Sequence, residues 1–156
     1  MLEAENPPQE IVLLVQKEVA QRICPLPQHQ SFKKTSSVGA NMSLLSVSVQ
    51  YYAESKIISY VSKNCFLPSP KVDSAIIKII PQKPNKNPKD AEKFFKVVKA
   101  GFSHARKQLA NNLSKELKLD RTKTKEWLLG CGIEPTRRAE TLSVQNWIAL
   151  SSSFTG

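Results

Sequence analysis

Residues 64–80 read Asn-Cys-Phe-Leu-Pro-Ser-Pro-Lys-Val-Asp-Ser-Ala-Ile-Ile-Lys-Ile-Ile, and this stretch decides the fold class. Pro68 and Pro70 stand one residue apart behind Phe66. Each proline fixes its own φ and pushes its predecessor toward extended geometry, so the segment cannot be helix. It runs into Val72–Ile80, whose β-branched side chains favour a strand. A stiff loop holding one aromatic at the end of a sheet suits a flat ligand such as a base. Packing of Phe66 into the core behind a proline-stiffened strand is the other reading, and the residues alone leave both open.

Working outward, Ile11–Gln16 is a continuous apolar run and predicts a buried parallel strand. Lys17–Cys24 predicts a short helix. Ser43–Glu54 predicts another, with Leu44, Val47 and Tyr51 on one stripe. Pro25–Asn41 between them has no apolar period and reads as loop. Lys56–Val61 reads as a strand, and the short loop that follows makes its pairing with 72–80 antiparallel. Downstream, Pro81–Asp90 holds three prolines, three lysines and two asparagines, the composition of a linker. Beyond it the pattern is helical. Phe94, Val98, Phe102, Ala105, Leu109 and Leu113 recur as one face of a long helix. Thr124–Leu129 predicts a shorter helix stopped by Gly130 and Gly132. Ser143 is placed to cap a last helix carrying Val144, Trp147 and Ile148, with Trp127 and Trp147 in its core. The domains expected are therefore 1–80, mixed α/β; 81–89, linker; and 90–156, helical.

Charge separates the same two parts. Residues 1–80 carry a net +2 and residues 81–156 a net +8. After Asp90 and Glu92 no acidic residue follows until Glu116, so Lys93, Lys96, Lys99, Arg106 and Lys107 lack local partners in sequence. A cationic stripe of this kind faces either solvent or a polyanion. Arg137 and Arg138 could touch phosphate or pair with Glu134 and Glu140. No run approaches the roughly 18 apolar residues of a membrane span, so no membrane partner is expected. Cys24, Cys65 and Cys131 show no metal-ligand spacing and read as three buried thiols of a cytosolic protein. None of the five glycines forms a phosphate-cradling turn, and His29 and His104 are isolated. No complete active site is visible in these residues, and no metal is expected.

Five segments then line up in order with one family. They are Val-Leu-Leu-Val-Gln-Lys-Glu-Val-Ala-Gln-Arg-Ile (12–23), Leu-Ser-Val-Ser-Val-Gln-Tyr-Tyr-Ala-Glu (45–54), Phe-Leu-Pro-Ser-Pro-Lys-Val-Asp-Ser-Ala-Ile-Ile (66–77), Gly-Phe-Ser-His-Ala-Arg-Lys-Gln-Leu-Ala-Asn-Asn-Leu (101–113) and Gly-Ile-Glu-Pro-Thr-Arg-Arg-Ala-Glu-Thr-Leu-Ser (132–143). Together they resemble the second half of the ribosomal RNA adenine N6,N6-dimethyltransferases. The resemblance implies an α/β fold: the C-terminal portion of a Rossmann-like class I methyltransferase sheet, followed by a small all-helical RNA-binding domain. Strands 11–16, 56–61 and 72–80 would be the last of that sheet, the final pair its antiparallel edge unit.

The same resemblance implies S-adenosylmethionine-dependent dimethylation of adenine N6 in small-subunit rRNA. It further implies the immature 30S subunit as partner, a monomer, and a cytoplasmic setting. A non-enzymatic RNA-binding or ribosome-assembly module and a related large-subunit rRNA methyltransferase are the alternatives. Phe66 would stack on the target adenine, held by Pro68 and Pro70. Lys71, Lys93, Lys96, Lys99, Arg106, Lys107, Arg137 and Arg138 would contact RNA. The family's glycine-rich cofactor turn, its ribose-holding acid and its Asn-Leu-Pro-Tyr-type motif lie upstream of the part matched. Leu2–Asn6 resembles the end of the helix after that motif, so a fragment is expected, inactive alone and not binding the cofactor. Met42-Ser43-Leu44 stands where the family often has Tyr-Gly-Arg, and Ala105 where an arginine often precedes Arg106.

Overall fold

The computed structural model describes residues 8–24, 42–82 and 88–154. The loop expected over Pro25–Asn41, the helix end expected at Leu2–Asn6 and the middle of the linker lie outside them. The chain divides into two units: residues 1–40 with 45–83, and residues 41–44 with 84–156.

The first unit is built on β1 (Ile11–Gln16), α1 (Lys17–Ile23), α2 (Leu44–Tyr52), β2 (Ala53–Val61) and β3 (Ser74–Pro81). The sheet has the order β1-β3-β2, and β3 is antiparallel to both neighbours. The β2–β3 pairing is as expected. The β1 pairing corrects the parallel strand read from the apolar run: Leu13 sits opposite Ile77 in an antiparallel ladder. An unbroken apolar run reports burial on two faces but not strand direction. The expected burial is corrected too, since Val12, Leu13 and Leu14 are exposed. One face of the sheet is covered: Ala20 and Ile23 of α1 and Val49 of α2 close a core with Ala75, Ile77 and Ile79, and Ile11, Val15 and Ile57 lean on it. Gln50 Nε2 and Ser55 Oγ both donate to the Ile23 carbonyl, at 3.0 and 3.1 Å, which satisfies an open acceptor at the end of α1. Cys24 is buried beside it, and burial pushes its thiol pKa up. Cys65 is exposed and Cys131 half-buried, so the expectation of three buried thiols holds for Cys24 alone. Strand β2 starts three residues earlier than expected, and Glu54 belongs to it rather than to α2.

The second unit holds α3 (Pro88–Phe102), α4 (Leu109–Glu116), α5 (Arg121–Gly130) and α6 (Val144–Ser153). The long helix expected through Leu113 is two helices. Asn112, buried in α4, donates from Nδ2 to the carbonyls of Gly101 at 2.7 Å and His104 at 3.0 Å. These carbonyls are thereby occupied and the chain turns through residues 103–108. Gly101 is required by packing: a Cβ there would lie 2.4 Å from Trp147 Cη2. Trp147 is fully buried, with Phe94, Val97, Leu109, Leu113 and Leu150 also in the core. Trp127 is only half-buried; its ring lies 5.3 Å from that of Phe154 and its Nε1 donates to Ser153 Oγ. Gly132 ends α5 with φ +70°, and Gly132 N–H bonds Leu129 O while Ile133 N–H bonds Leu128 O. This double bond pattern closes a helix where only glycine turns without strain. Ser143 caps α6 in a reciprocal pair with Asn146, as its position promised.

Candidate nucleic-acid interface

Strand β2 ends at Val61 and the chain turns at once. Ser62 Oγ accepts the Asn64 N–H and starts a single 3-10 turn, Lys63–Cys65. The Phe66 N–H donates to Lys63 O at 3.3 Å, and Ser69 Oγ donates to the same carbonyl at 3.0 Å. The far side of the loop returns through Asp73. Its Oδ1 accepts the Lys63 N–H at 3.0 Å, and its carbonyl accepts the Lys17 N–H at 3.0 Å. Asp73 thus ties the first residue of α1, the turn and the start of β3 to one point. The residue is an anchor of the loop.

On this frame Phe66 has extended backbone, φ −117° and ψ 149°, and is half-buried. It stacks on no other aromatic ring among the described residues. Pro68 and Pro70 are exposed beside it, and the Leu67–Pro68 peptide is cis. Leu67 is wholly exposed, at 102%. The arrangement offers one aromatic face on a loop whose backbone is fixed at both ends. Such a face can stack on a planar ring at little ordering cost.

The cations of the helical unit fall into two groups. Lys93 Nζ donates to Ser152 O at 3.4 Å, and Lys96 Nζ sits 5.4 Å above the Phe154 ring. Both therefore sit against the C-terminal end of α6, where a helix carries partial negative charge. Arg137 donates from Nε to Thr141 Oγ1 at 3.1 Å and from a terminal nitrogen to the Thr141 carbonyl. Arg138 lies 3.9 Å from Glu140 and is exposed. By contrast Lys99, Arg106 and Lys107, and Lys71 in the other unit, are exposed, and their side chains make no hydrogen bond or ion pair among the described residues. Leu109 N–H bonds the Arg137 carbonyl at 2.8 Å, which brings the 103–108 loop beside the Arg137–Arg138 turn. Asn112, which shapes that loop, escaped the sequence reading because an Asn inside a helical period carries no signal of its own.

No group of three or more metal-ligating side chains exists among the described residues. The described glycines Gly101, Gly130 and Gly132 all lie in the helical unit, and none follows a strand. No described helix is long and apolar enough to cross a membrane.

An α/β unit ending in an antiparallel β2–β3 pair, followed by a helical unit, is the fold of the rRNA methyltransferases. The 23S rRNA methyltransferase ErmE superposes with a TM-score of 0.68 at 22% identity, over 97% of this chain and 56% of that one. A dimethyladenosine transferase from Plasmodium falciparum gives 0.63 at 19% identity, over 96% and 59%. The sequence narrows this class further: the family described as ribosomal RNA adenine dimethylase matches residues 1–155, and the chain belongs to it. A relative named ribosomal RNA small subunit methyltransferase A from Dehalococcoides mccartyi is 40% identical over 99% of this chain and 50% of its own length. One of the same name from Nostoc punctiforme is 42% identical over 92% and 46%. The chain thus spans about half the length of the curated relatives it matches.

Proposed function

We propose that this chain is the base-stacking and RNA-gripping part of an S-adenosylmethionine-dependent enzyme that dimethylates adenine N6 in small-subunit rRNA. The observation that carries the reading is the free Phe66 face on its doubly anchored loop. The names of the relatives support the rRNA substrate. The immature 30S subunit as the form of that substrate, a monomeric whole enzyme and a cytoplasmic setting belong to the same reading.

The chemistry sets the need. An adenine amino nitrogen is a weak nucleophile because its lone pair conjugates with the ring, so the base must be drawn out and held. Unstacking costs a few kcal/mol. Stacking on an aromatic side chain returns about 1–3 kcal/mol per base. Phe66 supplies that wall, Pro68 and Pro70 stiffen the loop beneath it, and Asp73 fixes the loop's return. Lys71, Lys99, Arg106, Lys107 and Arg138 hold phosphates. Lys93, Lys96 and Arg137 are engaged by groups of the helical unit itself and contribute less to RNA contact. The seat of S-adenosylmethionine is not among the described residues, and the chain alone does not transfer methyl groups.

The test is a chimaera in which this chain replaces the matching half of the Dehalococcoides mccartyi relative. Phe66→Ala in it lowers methyl transfer to an rRNA substrate by about tenfold or more, the loss of one stacked base. Phe66→Trp retains most activity. Undiminished transfer by the alanine variant would refute the assignment.

A further inference from the structure

The loop that carries Phe66 has neighbours that the base-stacking role does not use. Leu67, at its tip, is 102% exposed, although a large aliphatic side chain is normally at least partly covered. Three lysines converge on the loop's anchor. Lys17 and Lys63 each donate a backbone N–H to Asp73, and Lys71 lies two residues before it. All three lysines are exposed, and none forms an ion pair among the described residues. Lys17 Nζ stands 5.4 Å from the ring centroid of Tyr60, which is itself exposed. The acidic groups here are Asp73, half-buried and holding the Lys63 N–H, and the exposed Glu18 beside Lys17.

Clustered cations with an interleaved aromatic and one protruding aliphatic side chain match the chemistry of unpaired nucleic acid. Cations track the backbone, rings stack on bases, and an aliphatic wedge replaces a neighbour in the base stack. We propose that Lys17, Tyr60, Lys63, Leu67 and Lys71 form a second RNA contact, on the sheet unit, that takes the single-stranded nucleotides flanking the base at Phe66. The lysines hold the phosphates on either side, and Leu67 fills the place the extruded base leaves. This rests on the RNA-modifying role proposed above, but its residues are separate from the helical unit's cations.

The experiment measures binding of the 156-residue chain to two labelled RNAs: an unstructured single strand of about ten nucleotides and a blunt duplex stem. On the single strand, Lys17→Ala/Lys63→Ala/Lys71→Ala reduces the slope of log affinity against log salt by about 2, for three released phosphate contacts. Leu67→Ala weakens single-strand binding on the order of fivefold with the slope unchanged, while Leu67→Met retains it. Neither change alters duplex binding, and circular dichroism is unaffected because every altered side chain is exposed. A wild-type slope in the triple variant, or equal losses on both RNAs, overturns the inference. If the single strand responds only to Lys99→Ala/Arg106→Ala/Lys107→Ala, this contact falls while the RNA-binding role stands. If the unaltered chain binds neither RNA, both fall.

Discussion

Asp73 accepts one backbone N–H with its carboxylate and another with its carbonyl, and both donors come from elements distant in sequence. Removing the carboxylate leaves the Lys63 N–H without its protein partner and frees the near side of the Phe66 loop. Asp73→Ala therefore costs about 0.5–1.5 kcal/mol in urea unfolding and speeds proteolytic cleavage within residues 62–72, whereas Asp73→Asn, which keeps an acceptor, leaves both near wild type. Asp120 plays a similar part at the start of α5. Its Oδ1 accepts the N–H groups of Thr122 at 2.8 Å and Lys123 at 3.1 Å. These bonds, the Lys123 one foremost, favour the charged form and hold the carboxyl below its ordinary 3.8. A lowered folded-state pKa means that the cap's stabilisation is present above the unfolded value and is lost as pH falls through the folded one. Thermal melts from pH 5 downward show this loss in the wild type and a flatter acid limb in Asp120→Asn, which keeps the cap without the charge. Ser143 and Gly132 were legible in the sequence because their partners are local: the i to i+3 pairing of Ser143 with Asn146 and the glycine just past a helical run. Asp73 and Asn112 were not, because one reaches ten residues along the chain and the other back to two carbonyls in a different turn.

At the scale of elements, β1 bears the clearest physical liability. Among the described residues only its β3 edge is paired. Val12 is 57% and Leu14 54% exposed on the sheet face away from α1, where Ile58 at 52% and Ile80 at 40% are also open. A sheet whose outer strands, β1 and β2, each pair only with β3 among the described residues and which has apolar side chains on both faces has the composition of one covered on both sides. The 156-residue chain therefore self-associates as its concentration rises, and Leu14→Lys shifts sedimentation toward monomer without lowering the unfolding free energy by more than about 0.5 kcal/mol. Unchanged association in that variant places the contact elsewhere. The apolar run at 11–16 announced burial on two faces, which the exposed Val12, Leu13 and Leu14 do not show. Strand direction was invisible because it is set by β3, some 60 residues on. The α3–α4 break was hidden for a related reason: the 3–4 residue period of Phe94 to Leu113 continues through the loop, since Leu109 and Leu113 return to the same core by another route.

At the scale of the molecule, charge and chemistry are distributed unequally. The positive charge is concentrated after residue 80, while Phe66 on its fixed loop is before it. Under the proposed function, binding RNA and seating a methyl donor are separable demands, and this chain is proposed to meet the first. Titration calorimetry with S-adenosylmethionine gives no saturable heat, because no described strand leads into a glycine turn able to take its nucleotide part. RNA, which binds the folded chain through cations held in place by the fold, raises its unfolding midpoint. At a free concentration near 100 times Kd the gain is about 2.7 kcal/mol by mass action. That gain shrinks steeply with added salt, because each phosphate contact releases bound counterions whose free energy depends on the salt already present. A midpoint that rises with S-adenosylmethionine but not with RNA would reverse the division between the two demands. A rise with RNA that persists at high salt would mean that stacking at Phe66 and Leu67, rather than the lysines and arginines, dominates the contact.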